Sequence, residues 1–106
     1  MKGVTSLYGD AIGHEALTAT GAVSITEAVY RPTSGVYKGL TASRALVSVE
    51  AYTARMRVDG IAAAATTGHE IPAGGSYVLE GIGSIKNASF IDTASGASTI
   101  RITAFA

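Results

Sequence analysis

Short segments of this chain alternate strictly between apolar and polar residues, and clusters of turn residues separate the segments. In residues 44–50, Ala45, Val47 and Val49 all fall on one face. Successive side chains of a strand point to opposite faces, so this two-residue period predicts a strand with one buried face. The β-branched residues and the alternation disfavour the competing interpretation, a helix over residues 43–57.

The alternation continues beyond Ala51, but its phase shifts there by one residue. After the shift, Arg55 and Arg57 occupy the polar face. A phase shift of this kind indicates a bulge or a tight turn. We predict that residues 44–50 and 53–58 form adjacent strands of one sheet. The residues expected to face the core are Ala45, Val47, Val49, Ala54, Met56 and Val58.

Further strands are predicted between the turn signals, at residues 22–26, 36–41, 76–80, 84–91 and 98–105. Seven strands at this spacing predict an all-β fold, a small β-sandwich or jelly roll of about seven to eight short antiparallel strands. Residues 1–21 contain four glycines and predict an irregular N-terminal arm or lead-in. The single sandwich domain is then expected over residues 22–106. Residues 72–75 predict a tight exposed turn.

The charge balance and the absence of cysteine limit the possible functions. Eight Lys and Arg residues balance eight Asp and Glu residues, so there is no basic excess for a phosphate backbone or an anionic membrane. No apolar run approaches the roughly 20 residues of a spanning helix. Without cysteine, disulfides and thiolate metal sites are excluded. We therefore expect neither nucleic acid nor a membrane as a partner.

Motifs for catalysis or cofactor binding are incomplete in this sequence. His14-Glu15 and His69-Glu70 each lack the second histidine that a metalloprotease helix requires. No Gly-x-Ser-x-Gly elbow is present, and Gly81-Ile82-Gly83 lacks the third glycine of a dinucleotide fingerprint. We predict no catalytic residue, no metal ion and no cofactor.

Aromatic and arginine side chains are the remaining candidates for ligand binding. The chain has five tyrosines and no tryptophan, the best platform for a sugar ring. Tyr37, Tyr52 and Tyr77 fall in predicted strands, where a core or interface position is favoured. Arg55 and Arg57 form either a solvated face or a pair of forks for a partner's carboxylates, and the sequence favours neither.

Composition also predicts self-association. Only 15% of the residues are charged, and Ala, Gly, Ser and Thr supply 54 of the 106 residues. Such a chain has little of the charge repulsion that keeps β-domains from pairing edge to edge, so we expect a homo-oligomer. The apolar side chains of the predicted arm are candidate subunit contacts together with the two arginines. The full set is Val4, Leu7, Tyr8, Ile12, Leu17, Arg55 and Arg57.

Three segments resemble a family of small virion proteins of tailed bacteriophages. They are R-x-R-V-D-G at residues 55–60, T-T-G-H-x-I-P-A-G-G at residues 66–75 and I-K-N-x-x-F-I at residues 85–91. The resemblance covers residues 36–106. It implies an all-β structural protein without catalysis, either a head decoration (cement) protein or a neck or tail component.

The resemblance also implies partners and a location. A decoration protein would bind the major capsid protein or other virion subunits, commonly as a trimer at local threefold positions. The protein would be assembled into the phage particle in the cytoplasm of the bacterial host. The alternative function is a small ligand- or glycan-binding sandwich used in host attachment.

Overall fold

The computed structural model of the chain describes residues 5–6, 9–64, 66–93 and 97–106. These residues form nine strands and two short helices. In chain order the elements are β1 (Thr5–Ser6), β2 (Gly9–Ala19), β3 (Val23–Ser24), α1 (Glu27–Tyr30), β4 (Arg44–Glu50), β5 (Ala54–Arg57), β6 (His69–Ile71), β7 (Ser76–Glu80), α2 (Ile82–Asn87), β8 (Ser89–Asp92) and β9 (Ser98–Phe105).

The strands are arranged in two sheets. One sheet has five strands in the order β1-β2-β9-β4-β7, and the other has four in the order β3-β8-β5-β6. All neighbouring strands of these sheets pair antiparallel. The predicted fold class, a small all-β sandwich, is confirmed.

The core lies between the two sheets, where the apolar faces of the strands meet. Val47 and Ile102 from the five-stranded sheet are fully buried with Met56 and Phe90 from the four-stranded sheet. Burying a side chain of this size contributes about 1.5–3 kcal/mol. All six residues predicted to face the core do so: Ala45, Val47, Val49, Ala54 and Met56 are buried, and Val58 packs against them partly buried.

The phase shift at Ala51 marks the point where the chain leaves one sheet for the other. Ala51 has a φ of 78°, in the left-handed region that non-glycine residues seldom adopt. The N–H of Tyr52 donates to the carbonyl of Glu50 at 3.0 Å. The prediction that residues 44–50 and 53–58 are adjacent strands of one sheet is wrong. The tight turn leads across the sandwich, so β4 and β5 belong to different sheets.

Residues 9–19 lie within the predicted N-terminal arm, and for them the prediction of irregular structure is wrong. They form β2, which pairs with β9 from Ala11 to Ala19. A register shift between Ala11 and Gly13 interrupts the alternation, so the sequence pattern of a strand is broken there. The sandwich therefore includes β2 and does not begin at residue 22.

Helix α1 packs closely against β2. A Cβ atom at Gly13 would lie 2.1 Å from the carbonyl oxygen of Val29, so only glycine fits at this position. The single turn of α1 buries Val29 and Tyr30. The carboxylate of Glu15 accepts hydrogen bonds from the backbone N–H and the hydroxyl of Thr26, each at 2.7 Å. β2 thus holds α1 by a close backbone contact and by hydrogen bonds to the residue before the helix.

Two predicted strands adopt other conformations. Residues 36–39 form a turn, with Gly39 at a φ of 87°, and residues 40–41 have no regular structure, so the strand predicted over residues 36–41 is wrong. Residues 82–87 form α2, so the strand predicted over residues 84–91 is restricted to β8. A helical turn brings Ile82 and Ile85, three residues apart, to the same core.

The remaining strand and turn predictions agree with the structure. The strands at residues 44–50, 76–80 and 98–105 have the predicted bounds, and β3 lies within residues 22–26. The turn at residues 72–75 is also confirmed. There the N–H of the last residue donates to the carbonyl of the first at 2.8 Å, and the third residue is a glycine with a φ of 85°.

Candidate interaction surface

Two of the predicted subunit contacts, Ile12 and Leu17, lie in β2 and not on a projecting arm. Ile12 is only 7% exposed and belongs to the core, and Leu17 packs against the core partly buried. Both side chains therefore contact this chain's own sandwich. Val4, Leu7 and Tyr8, the other apolar residues of that set, lie outside the described residues.

Arg55 and Arg57 extend from β5, and each has partners within the chain. Arg55 donates to the Glu70 carboxylate at 3.1 Å and to the carbonyl oxygen of Gly68 at 3.0 Å. Arg57 donates to both carboxylate oxygens of Asp59, at 3.1 and 2.5 Å. This hydrogen bonding raises the pKa of the Arg57 guanidinium and lowers the pKa of the Asp59 carboxyl. The carboxylates that bind these two arginines in the structure are thus those of Glu70 and Asp59 of the same chain.

Every arginine of the chain is paired in this way. The pairs are Arg31–Glu27, Arg44–Glu80, Arg55–Glu70, Arg57–Asp59 and Arg101–Glu50, with N–O distances of 2.5 to 3.3 Å. Exposed pairs of this kind contribute little to stability, because solvent screens them. Their larger effect is on the surface potential, because a neighbouring carboxylate neutralises the positive charge of each arginine.

The outer face of the five-stranded sheet combines small residues with four charged side chains. Cross-strand neighbours on this face include Thr18 with Thr99 and Ser48 with Arg101. The charged groups on it belong to the pairs Arg44–Glu80 and Arg101–Glu50. Each positive charge on this face thus lies beside a negative one, so the face has little net charge to repel another protein surface.

Five large apolar side chains are exposed on the described surface: Val36 (85%), Ile61 (56%), Tyr77 (48%), Tyr52 (46%) and Leu40 (45%). Four of them lie in connections between strands, and Tyr77 lies in β7. Single exposed apolar residues in loops are common in soluble proteins. An exposed aromatic side chain on a strand at the edge of a sheet is a stronger indication of a binding surface.

β7 is the outermost strand of the five-stranded sheet, and no described strand pairs with its second edge. Tyr77 is on the inner face, because it pairs with buried Val47, yet it is half exposed at the rim of the sandwich. A groove of about 280 Å³ separates this rim from the other sheet. The groove is lined by Met56, Val58, His69, Tyr77, Val78, Leu79, Glu80 and Ser84. The sequence predicts the strand at residues 76–80, but nothing in it indicates that this strand lies at the edge of a sheet.

The histidine and acidic side chains do not converge on a metal site in the described part of the chain. No group of three or more His, Cys, Asp or Glu residues there could hold a metal ion. Nδ1 of His14 lies 3.1 Å from the hydroxyl of Thr103 on the five-stranded sheet, whereas His69 lies in β6 of the other sheet. Among the same residues, no helix has the length and apolar character to cross a membrane.

Comparisons with known proteins yield no match to a family model, to a curated protein or to a solved structure. The resemblance of residues 36–106 to phage virion proteins accordingly stays a prediction.

Proposed function

We propose that this chain is a non-enzymatic structural subunit of a phage virion, and specifically a capsid decoration (cement) protein. The observation that carries the proposal is the pairing of charges and strands on the protein's surface. All arginines are neutralised within the chain, the charges on the outer face of the five-stranded sheet are paired with one another, and no described strand pairs with the outer edge of β7. Such a surface suits burial against neighbouring subunits. The segments at residues 55–60, 66–75 and 85–91 add the virion context.

In this role the protein bridges neighbouring major capsid subunits after assembly in the host cytoplasm. A protein that binds only the assembled shell stabilises it by mass action, by about 2.7 kcal/mol per site at a free concentration of 100 times Kd. Because many copies bind one shell, contacts of modest affinity suffice. The mechanism requires neither a cofactor nor a catalytic residue.

Self-association is part of the proposal. With 15% charged residues and a net charge of zero, little charge repulsion opposes contact between copies. A homo-oligomer would also present several capsid-binding faces at once and so bind more tightly than one copy. The trimer implied by the resemblance is one arrangement that meets this requirement.

Removal of the protein from particles of the phage that encodes it tests the cement role. We expect stripped heads to lose integrity at a lower temperature or under a smaller osmotic shock than complete heads. Adding back the purified protein should restore the original stability, whereas an unrelated β-sandwich of similar size should not. Unchanged head stability after complete removal would contradict the cement role. Location in the neck or tail by particle reconstruction would contradict it as well.

A second candidate is a glycan-binding sandwich used in host attachment, and the exposure of Tyr52 and Tyr77 favours it. A tyrosine ring with one free face can stack on a sugar. Specific binding on a glycan array that is lost in Tyr52→Ala or Tyr77→Ala would support this function. Tyr30→Phe offers a control, because Tyr30 is buried. An array without signal would favour the structural role.

A further inference from the structure

The open edge of β7 presents a regular row of backbone hydrogen-bonding groups. The N–H of Val49 donates to the carbonyl of Gly75, and the N–H of Gly81 donates to the carbonyl of Ser43. In an antiparallel ladder the backbone groups of successive residues point to opposite sides. The odd-numbered residues of β7 therefore face β4, and Ser76, Val78 and Glu80 direct their N–H and C=O groups to the open edge.

We propose that β7 pairs antiparallel with β7 of a second copy, across a twofold axis that passes through Val78. The two five-stranded sheets would then form one continuous sheet of ten strands. The contact is isologous, so it closes at two copies and leaves both outer sheet faces available. The inference concerns the isolated protein and does not require the virion role proposed above.

The spacing of the outward groups fits this register. When the axis lies between the two copies of Val78, Val78 faces Val78 of the second copy, and Ser76 faces Glu80 of the second copy. Each of these pairs is of the type that exchanges two hydrogen bonds. Six backbone hydrogen bonds would result, and every outward N–H and C=O of the strand would have a partner.

The side chains are compatible with the same arrangement on both faces. On the outer face, Val78 lies beside Leu46 of β4, so the axis would bring two half-buried valines together between two half-buried leucines. On the inner face, Tyr77 would lie opposite Leu79 of the second copy. This would cover the rim where Tyr77 is now 48% exposed. Apolar cross-strand pairs of this kind stabilise antiparallel sheets.

The charges on β7 do not oppose the pairing. Glu80 is the only charged residue of the strand, and its carboxylate already lies 3.3 Å from Arg44. It would face Ser76 of the second copy and not another carboxylate. The strand also has no lysine and no proline, the residues that commonly protect an exposed edge from pairing.

The other described sheet edges are less suited to such a join. β1 and β3 each have only two residues, and β6 has three residues with a glutamate at the centre, followed directly by Pro72. β2 is long, but it carries a register shift between Ala11 and Gly13, and a bulge of this kind disturbs the pairing of an edge. Of the described edge strands longer than three residues, β7 is thus the one without a register shift.

Charge substitutions at Val78 test both the surface and the register. In Val78→Lys two ammonium groups would face each other across the axis, and in Val78→Glu two carboxylates would do so. We expect each variant to self-associate at least about tenfold more weakly than the native protein, because like charges directly opposite each other destabilise a strand pair. A one-to-one mixture of the two variants should restore dimers, since lysine then faces glutamate.

Sedimentation velocity or light scattering measures the oligomeric state up to about 1 mM, where even a weak strand-edge dimer should be populated. Ala16→Lys is the matched control. Ala16 is exposed on the opposite edge of the same sheet face, and its substitution should leave the dimer intact. Far-UV circular dichroism shows whether each variant is folded. If a charged variant is unfolded, Val78→Thr takes its place, and we expect it to weaken association to a smaller extent.

Three results would overturn the inference. The first is a native protein that stays monomeric at the highest concentration, or that forms a trimer. The second is loss of association in Ala16→Lys equal to the loss in Val78→Lys, which would point to a head-to-tail join between β7 and β2. The third is a failure of the mixture of Val78→Lys and Val78→Glu to associate, which would exclude the twofold register at Val78.

Discussion

Substitution of Gly13 by alanine should destabilise the protein, although alanine is ordinarily the better strand residue. A Cβ atom at this position would lie 2.1 Å from the carbonyl oxygen of Val29 and 2.8 Å from its carbonyl carbon. Both atoms belong to the backbone, so no side chain can rotate to make room. Because a carbon–oxygen contact needs about 3.3 Å, α1 would have to move by roughly 1 Å.

The size of the effect follows from what α1 buries. Val29 and Tyr30 are 8% and 6% exposed, and a shift of the helix would loosen both. Overpacking typically costs about 1–3 kcal/mol, and each buried side chain of this size contributes about 1.5–3 kcal/mol when fully docked. We expect the free energy of unfolding to fall by about 2–4 kcal/mol. In a domain of this size each kcal/mol lowers Tm by about 4–8 °C.

Urea unfolding followed by circular dichroism and tyrosine fluorescence measures this loss. Gly21→Ala is the matched control, because no atom lies within 4 Å of a Cβ at that position. It should be neutral or stabilise the protein slightly by restricting the unfolded chain. A Gly13→Ala protein as stable as the native one would refute the reasoning that α1 packs directly on β2 at this glycine.

Three other substitutions probe the core, the crossover and the arginine pairs. Phe90→Ala should lower the free energy of unfolding in urea by about 3–5 kcal/mol, because the ring is fully buried between the sheets. Ser98→Ala should lower it by about 1–3 kcal/mol, because the buried hydroxyl donates to the carbonyl of Tyr52 at 2.8 Å. Asp59→Asn should be less stable than the native protein at neutral pH but not at acidic pH. The pKa of Asp59 is lowered in the folded state, so its contribution is present above the unfolded pKa and is lost as the pH falls through the folded pKa. Thermal unfolding across this pH range would contradict the reasoning if the difference persisted in acid.

The strands that the sequence predicts with correct bounds have a clear two-residue period or turn residues on both sides. β4 and β9 follow the two-residue period over most of their length, and β7 lies between Gly75 and Gly81. The three strands lie next to one another in the five-stranded sheet. A two-residue period fixes which side chains face the core, and burial along the whole strand then keeps the register. Local pattern is therefore sufficient for these elements.

Such a local pattern does not predict which strands pair with each other. The phase shift at Ala51 is equally compatible with a hairpin within one sheet and with a crossover to another sheet. Only the second arrangement allows Val49 and Met56 to approach the same core from opposite sides. In β2 the difficulty is different, because Gly13 meets a helix that comes later in the chain, and nothing near Gly13 in the sequence indicates it.

The candidate surface was predictable in composition but not in arrangement. Low charge is evident from the sequence, yet the partners Arg101 and Glu50 are 51 residues apart and meet only through the register of β4 with β9. The exposure of Tyr77 likewise depends on which strand is outermost. A predicted strand at residues 76–80 is compatible with either a central or an edge position.

The open edge of β7 follows from the route of the chain. β4 lies between β9 and β7, and after it the chain crosses at Ala51 to the four-stranded sheet. After β7 the chain turns at Gly81, which has a φ of 85°, into α2, and α2 leads to β8 in the four-stranded sheet. The chain returns to the five-stranded sheet only as β9, between β2 and β4. No described segment after β7 therefore lies beside it in the sheet. This connectivity completes the core and leaves the outer edge of β7 without a described partner strand, an edge of the kind that soluble proteins commonly protect.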